Sequence, residues 1–228
     1  MIIAFLLLSY SASFPQSSQT IQVQFERQYN EKGVKEIVKG NIYYRAPGGV
    51  TVVVNSPVKQ WMIFAGKQLT IYYPDDKQAF QFNAQIPISL PFFEAFIGVV
   101  KTDYGLTDIG YVLSTHKTRG DTLFTYWSPP KKTSKTLGEF TLAYVSDKIV
   151  YAELKRRDGT TASRSFYKNH IHYGVTYFPL EIYTIRYTKK DSILEKVVYT
   201  NPQFDKPLPI EVMNFKIPTN VKIEEINW

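Results

Sequence analysis

The side chains closest to metal or proton-transfer chemistry are the three histidines, His116, His170 and His172. In an extended strand, His170-Ile171-His172 places both imidazoles on one face, as two ligands of a divalent ion require. The surrounding stretch, Ala162 to Tyr173, has no Asp, Glu or Cys to complete the set, so half-exposed strand histidines are the default reading. The carboxylates Asp75-Asp76, Asp103, Asp108 and Glu224-Glu225 fall on turns or near the C-terminus. Glycoside hydrolysis would need two of them to converge in space. There is no Gly-x-Ser-x-Gly elbow, His-Glu-x-x-His, phosphate-cradling glycine loop or Cys-x-x-Cys. With no cysteine at all, a thiolate metal site, a disulfide and a cysteine nucleophile are excluded, as is a lipid-modified N-terminal cysteine. The chain reads as a binding protein, not an enzyme, with no cofactor and no metal.

The elements that would position a binding surface are strands. Aromatic residues make up 15% of the 228 positions, which favours a large buried or ligand-facing apolar surface over a disordered chain. From Asn41 to Phe82, runs rich in Val, Ile, Phe, Trp and Tyr are separated by Ala46-Pro47-Gly48-Gly49, Asn55-Ser56-Pro57, Gly66-Lys67 and Pro74-Asp75-Asp76-Lys77. Trp61 and Ile63, Leu69 and Ile71, and Phe80 and Phe82 alternate with more polar neighbours and predict one apolar face per strand. Val52 joins that face, although the unbroken Val50 to Val54 stretch hides its alternation.

Before this block, Thr20 to Gln28 alternates as a strand that turns at Asn30 to Gly33 and returns through Val34 to Val38. After it, strands are predicted at Tyr111–Lys117, Thr122–Trp127, Phe140–Val145, Ile149–Arg156, Ala162–Tyr173, Glu181–Thr188 and Ile193–Thr200. Arg119-Gly120-Asp121, Asp147-Lys148 and Arg157-Asp158-Gly159 supply turns. One segment has helical spacing: Phe92, Phe93, Phe96, Ile97 and Val100 form a broad apolar face after Pro91, and Gly105 ends it. Leu106 to Ile109 predicts a second short helical turn. Gly98 inside the first helix costs about 1 kcal/mol against Ala, as suits a piece that moves or packs closely.

At the N-terminus, the apolar run Ile2 to Leu8 is followed by small residues, as in a secretory signal, but lacks a charged leading region. Residues 1–13 therefore read as a signal peptide and 14–228 as one domain; a core strand of a cytosolic protein is the alternative. The formal charge of +7 is spread along the chain and fits a solvated basic exterior, with no nucleic-acid partner, that would favour approach to anionic headgroups.

The order of several short motifs resembles a family. Gly40 to Gly48 matches a Gly-x-Ile/Phe-x-Tyr-x-x-Pro-Gly strand and turn, and Ser56 to Ile63 a Ser-Pro-x-x-Gln-x-x-Ile strand. Gly66 to Leu69 gives Gly-Lys-x-Leu, Tyr72 to Ala79 a Tyr-Tyr-Pro-Asp-x-Lys-Gln-Ala hairpin, and Phe215 to Val221 a Phe-x-Ile-Pro-x-x-Val ending. In these respects the chain resembles the periplasmic outer-membrane lipoprotein carriers of the LolA type.

That resemblance implies a mainly β fold with one or two helices. A curved antiparallel sheet would form an open, incomplete β-barrel around an apolar cavity, with a helical lid over about 91–105. It implies a monomer in the periplasm of a Gram-negative bacterium. Its cargo would be acylated lipoprotein or lipid, received from an inner-membrane extraction complex and passed to an outer-membrane acceptor. The cavity and lid would use Val52, Trp61, Ile63, Leu69, Ile71, Phe80, Phe82, Phe92, Phe93, Phe96, Ile97 and Val100. Arg45 would take the part of the strand arginine that hydrogen-bonds the lid, although Ala46 separates it from Pro47 where many members have Arg-Pro. The amphipathic helix that usually opens the family has no counterpart beyond a few residues around Pro15 to Gln19. An envelope lipid-binding or stress-sensing protein on the same fold, an enzyme on a β sandwich, and a structural envelope protein without cargo remain as alternatives.

Overall fold

The computed structural model describes residues 20–46, 49–65, 68–83, 103–131, 137–174 and 176–226. The expected signal segment lies outside the described residues, as does the expected helix from Pro91 onward except for residues 103–105, which form turns.

The strands are β1 (Thr20–Glu31), β2 (Val34–Arg45), β3 (Gly49–Ser56), β4 (Gln60–Ala65), β5 (Gln68–Tyr73), β6 (Gln78–Asn83) and β7 (Val112–Arg119). They continue as β8 (Thr122–Ser128), β9 (Leu137–Val145), β10 (Lys148–Arg156), β11 (Thr161–Tyr173), β12 (Thr176–Tyr187), β13 (Ser192–Phe204) and β14 (Ile223–Ile226). One short helix, α1 (Ile210–Met213), precedes β14.

The fourteen strands of the described residues belong to one sheet, in the order β14-β6-β5-β4-β3-β2-β1-β13-β12-β11-β10-β9-β8-β7. Two runs of hairpins, β1 to β6 and β7 to β13, are therefore sewn together where β1 meets β13. Pairing is antiparallel throughout, except that β14 lies parallel to β6. The described sheet is not closed: β7 and β14 stand at its two ends. This is the open β-barrel of the expected fold class. Among the described residues no helix is long and apolar enough to cross a membrane.

Several boundaries differ from the sequence expectation, each for a local reason. Val34–Val38 and the run from Asn41 are one strand, β2, which passes straight through Gly40. A Cβ at Gly40 would sit 2.2 Å from the Val53 carbonyl oxygen and 2.8 Å from Phe25 Cε1, so only glycine lets these strands approach. Strand β12 starts at Thr176, before the expected Glu181, and so contains Pro179. Proline is tolerated there because β13 pairs with β12 only from Glu181 onward, leaving Pro179 a single neighbour. Residues 103–110 form successive turns instead of the expected helical turn, with Leu106 N donating to Asp103 O and Gly110 N to Thr107 O. Helix α1 was not expected; four residues are too few to show a helical period, and Ile210 and Met213 are exposed.

The main core lies on one face of the sheet, called inner below. It runs from Val50, Val52 and Val54 through Ile42, Phe25, Tyr199 and Ile182 to Leu142 and Trp127. Leu106 and Tyr111 from the β6–β7 connection pack onto it, and the Tyr111 hydroxyl donates to Gly138 O at 3.2 Å. Burial pushes the Tyr111 phenol up to about 12, so it stays a neutral donor. A second, smaller cluster of Tyr72, Ala79 and Val221 lies on the opposite, outer face.

Candidate functional site

Directly paired residues of antiparallel strands share a face, so the register shows which side chains meet. Ile42, Val52, Met62, Ile71 and Phe80 stand in one row across β2 to β6. Tyr44, Val50, Phe64, Leu69 and Phe82 stand in the next. The β2 and β3 ends of both rows are buried in the main core, and Leu69 is buried as well. Met62, Phe64, Ile71, Phe80 and Phe82 are only half-buried. The inner face thus grades from packed core into a partly exposed apolar and aromatic surface on β4 to β6.

Five of the residues expected to line the cavity, Val52, Leu69, Ile71, Phe80 and Phe82, share the inner face; Val52 and Leu69 are buried and the other three half-buried. Trp61 and Ile63 do not. Trp61 pairs with Val53 and Tyr72, and Ile63 with Thr51 and Thr70, which puts both on the outer face. The physical reason is parity. Strand β4 reads Trp-Met-Ile-Phe, apolar on both sides, and a one-residue error in such a run turns every side chain over.

The outer position of Trp61 has a cause in the C-terminal segment. Phe215 stacks on Trp61 with ring centroids 3.9 Å apart and planes 7° from parallel. Ile217 and Val221 pack with it against Tyr72 and Ala79. The apolar positions of the Phe-x-Ile-Pro-x-x-Val ending are therefore the residues that seat the tail on the outside of the sheet. Phe92, Phe93, Phe96, Ile97 and Val100 lie outside the described residues. Arg45 stands exposed at the end of β2, opposite Thr20 and Gly49.

One polar group on the inner face escaped the sequence reading. The Glu195 side chain is fully buried, and its Oε2 accepts from Arg27 Nη2 at 2.9 Å and from Arg186 Nη2 at 2.6 Å. Thr184, its direct neighbour across the ladder, is hydrogen-bonded to Ser165 at 3.0 Å. An acidic residue in phase with Val197 and Tyr199 was the available signal: Glu195 occupies a position where alternation demands an apolar side chain.

His170 and His172 each make other contacts. His170 Nε2 lies 2.7 Å from Ile149 O, which makes that nitrogen the protonated donor. Burial pushes His170 below its ordinary range, against the contrary pull of this hydrogen bond. His172 is exposed, with its ring 4.9 Å from that of Tyr177. No group of three or more His, Cys, Asp or Glu able to hold a metal occurs among the described residues. Asp103 binds the turn that follows it: burial would raise its carboxyl, but hydrogen bonds from Thr107 and from the Gly105 and Thr107 backbone outweigh that and hold it low.

The described residues thus form an open sheet with a graded apolar inner face. The family model for the outer membrane lipoprotein carrier protein LolA matches residues 16–170, well over half of the chain. The chain belongs to the LolA family. No curated protein sequence matches it. Among solved structures, a DUF1329 family protein from Desulfovibrio piger shares 12% identity at a TM-score of 0.65, covering 87% of this chain and 90% of that one. A LolA superfamily protein from Nitrosomonas europaea shares 12% at 0.61, covering 88% and 92%. A domain assigned to outer membrane lipoprotein sorting from Vibrio parahaemolyticus shares 8% at 0.63, covering 86% and 89%. At such identities these likenesses bear on the fold alone. Membership in the LolA family marks the chain as a member of a lipoprotein-carrying, periplasmic group of binding proteins.

Proposed function

We propose that this chain is a periplasmic carrier that takes acyl chains of lipoproteins, or related lipids, on its inner face and delivers them to the outer membrane without chemistry. The observation that carries the reading is the two rows of half-buried side chains, Met62, Ile71 and Phe80 in one and Phe64 and Phe82 in the next, continuous with a packed core. Each methylene that an acyl chain buries there contributes about 0.8 kcal/mol, so a short contact is already a strong one. Residues 1–13 act as the export signal and 14–228 as the working monomer. The apolar segment that follows Pro91, with Phe92, Phe93, Phe96, Ile97 and Val100, serves as the lid: it covers the surface when it is empty and yields it to cargo. Arg45, exposed at the end of β2, is the candidate for holding that lid. An inner-membrane extraction complex and an outer-membrane acceptor are the partners at the two ends of the journey.

Native mass spectrometry of protein purified gently from an envelope fraction tests this. The expected result is a co-purifying acylated peptide or phospholipid that is lost from Phe80→Asp and kept by Gln81→Asp, on the other face of the same strand. A clean unliganded mass, with no uptake of added lipoprotein or fatty acid, would overturn it.

A further inference from the structure

On the outer face, behind the seam where β13, β1 and β2 meet, an open depression of about 410 Å³ lies between the exposed Gln24 and Asn55 and the half-buried Asn41. A second, of about 180 Å³, is lined by Gln22, Asn201 and Gln203 and shares Gln24 and Asn41 with the first, so the two form one groove. Six carboxamides from four strands converge on it. The charged side chains at its end, Glu26 and Lys39, pair with each other at 2.9 Å, which leaves the lining close to neutral.

Two irregularities shape the groove. The β2–β3 register shifts between Lys39 and Gly40. The β1–β13 register shifts between Gln22 and Gln24, where Asn201 and Pro202 together oppose Val23. Asn201 takes a left-handed backbone with φ 50°, a conformation that costs a non-glycine residue energy. A regular strand would alternate Thr200, Asn201 and Gln203 between faces. The bulge instead gathers their polar groups on the outer side, as bulges do where a side chain must be re-aimed. Asn201 Nδ2 then donates to Gln24 Oε1 at 3.0 Å, and Gln22 Nε2 to Gln203 Oε1 at 2.5 Å. Each amide that donates or accepts in these pairs keeps further donors and acceptors for a ligand. Tyr43, half-buried, and Pro209 flank the second depression with apolar surface.

We infer that this groove is a binding site for a neutral saccharide. Carboxamides present a donor and an acceptor in one plane, which is what a pair of neighbouring hydroxyls needs, and a tyrosine offers a face for the C–H surface of a sugar ring. The near-neutral lining does not select an anion. An extended peptide is the poorer fit, because the groove crosses β13, β1, β2 and β3 inside the sheet, where the backbone groups are already paired and cannot add a strand. The site lies on the opposite face from the proposed acyl surface and stands independently of it.

Isotope-labelled protein is titrated with maltotriose, mannotriose, galactotriose and tri-N-acetylchitotriose, each to about 10 mM, a range that detects millimolar affinity. The side-chain amide signals of Gln24, Asn41 and Asn201 are expected to shift with at least one sugar. Gln24→Leu with Asn41→Leu should weaken that binding at least about tenfold, because polar groups matched to hydroxyls are lost. Gln24→Glu, which keeps the shape, checks that the fold tolerates change at this surface. Absence of shifts with all four sugars, shifts confined to inner-face signals, or binding of a Gly-Ser peptide but no sugar would each overturn the proposal.

Discussion

Trp61 and Phe215 stack face to face at 3.9 Å on the outer side of the sheet, joining the second strand of one hairpin to the tail that follows α1. This contact and the neighbouring Val221 clamp the segment that leads into β14, the one parallel strand. Phe215→Ala is expected to cost about 2 kcal/mol, below the value for a fully buried phenylalanine because the ring is half-exposed. Urea unfolding followed by tryptophan fluorescence reads both the midpoint and the altered surroundings of Trp61. An unchanged midpoint would show that the tail rests on the sheet without stabilising it.

Two glycine substitutions should behave differently. Gly40→Ala forces a methyl group to within 2.2 Å of the Val53 carbonyl, which only backbone movement relieves, so a loss of about 3 kcal/mol is expected. Gly120, at the tip of the β7–β8 hairpin with φ 60°, has nothing within 4 Å of an added Cβ. Gly120→Ala should cost only the left-handed strain, about 1 kcal/mol. Equal melting temperatures for the two variants would contradict the close approach at Gly40.

Glu195 balances two arginines inside a mainly apolar face. Glu195→Leu leaves Arg27 and Arg186 without their shared acceptor, and a loss of about 3–5 kcal/mol is expected. Replacing all three by leucine or methionine should recover most of that stability, since a well-packed apolar set avoids the desolvation penalty altogether. Chemical unfolding of the single and triple variants measures the difference. A triple variant no more stable than Glu195→Leu would mean that the cluster orders the sheet in some further way.

Stability should fall in two separate acid windows. His170 is held neutral by burial, so its folded pKa lies below the unfolded value of about 6.5. Its contribution is complete above that value and is lost as pH falls from there toward the folded pKa, because the unfolded chain takes up the proton first. Burial would raise Glu153, but hydrogen bonds from Arg164 and Thr161 outweigh it and lower the carboxyl, as Thr107 and the backbone do for Asp103. Their contributions are present above the unfolded values of about 4 and disappear as pH falls through the folded ones. Urea midpoints between about pH 7.5 and 5.5 isolate the histidine, and His170→Gln should flatten that interval alone.

Local features were legible in the chain and distant ones were not. The turns at Lys32-Gly33, Arg119-Gly120-Asp121 and Arg157-Asp158-Gly159 stand where expected, because each is decided by a few residues with the right backbone freedom. The face of β4 was misjudged because Trp61, Met62, Ile63 and Phe64 offer no polar residue to mark the outside. Only pairing with Val50 to Val54 on one side and Leu69 to Tyr72 on the other resolves it. Glu195 was passed over because its partners Arg27 and Arg186 come from two other strands. The carboxamide groove needs the β1–β13 register, which no single stretch of sequence reveals.

The seam between β1 and β13 also governs the order in which the molecule can assemble. Each hairpin can close on its own within microseconds, but β1 must wait for a partner made almost at the far end of the chain. Closing so long a loop costs entropy before any contact rewards it, and folds dominated by such pairings are slow. Until that moment both flanks of the apolar face are bare. The continuous apolar face is thus complete only when β1 meets β13.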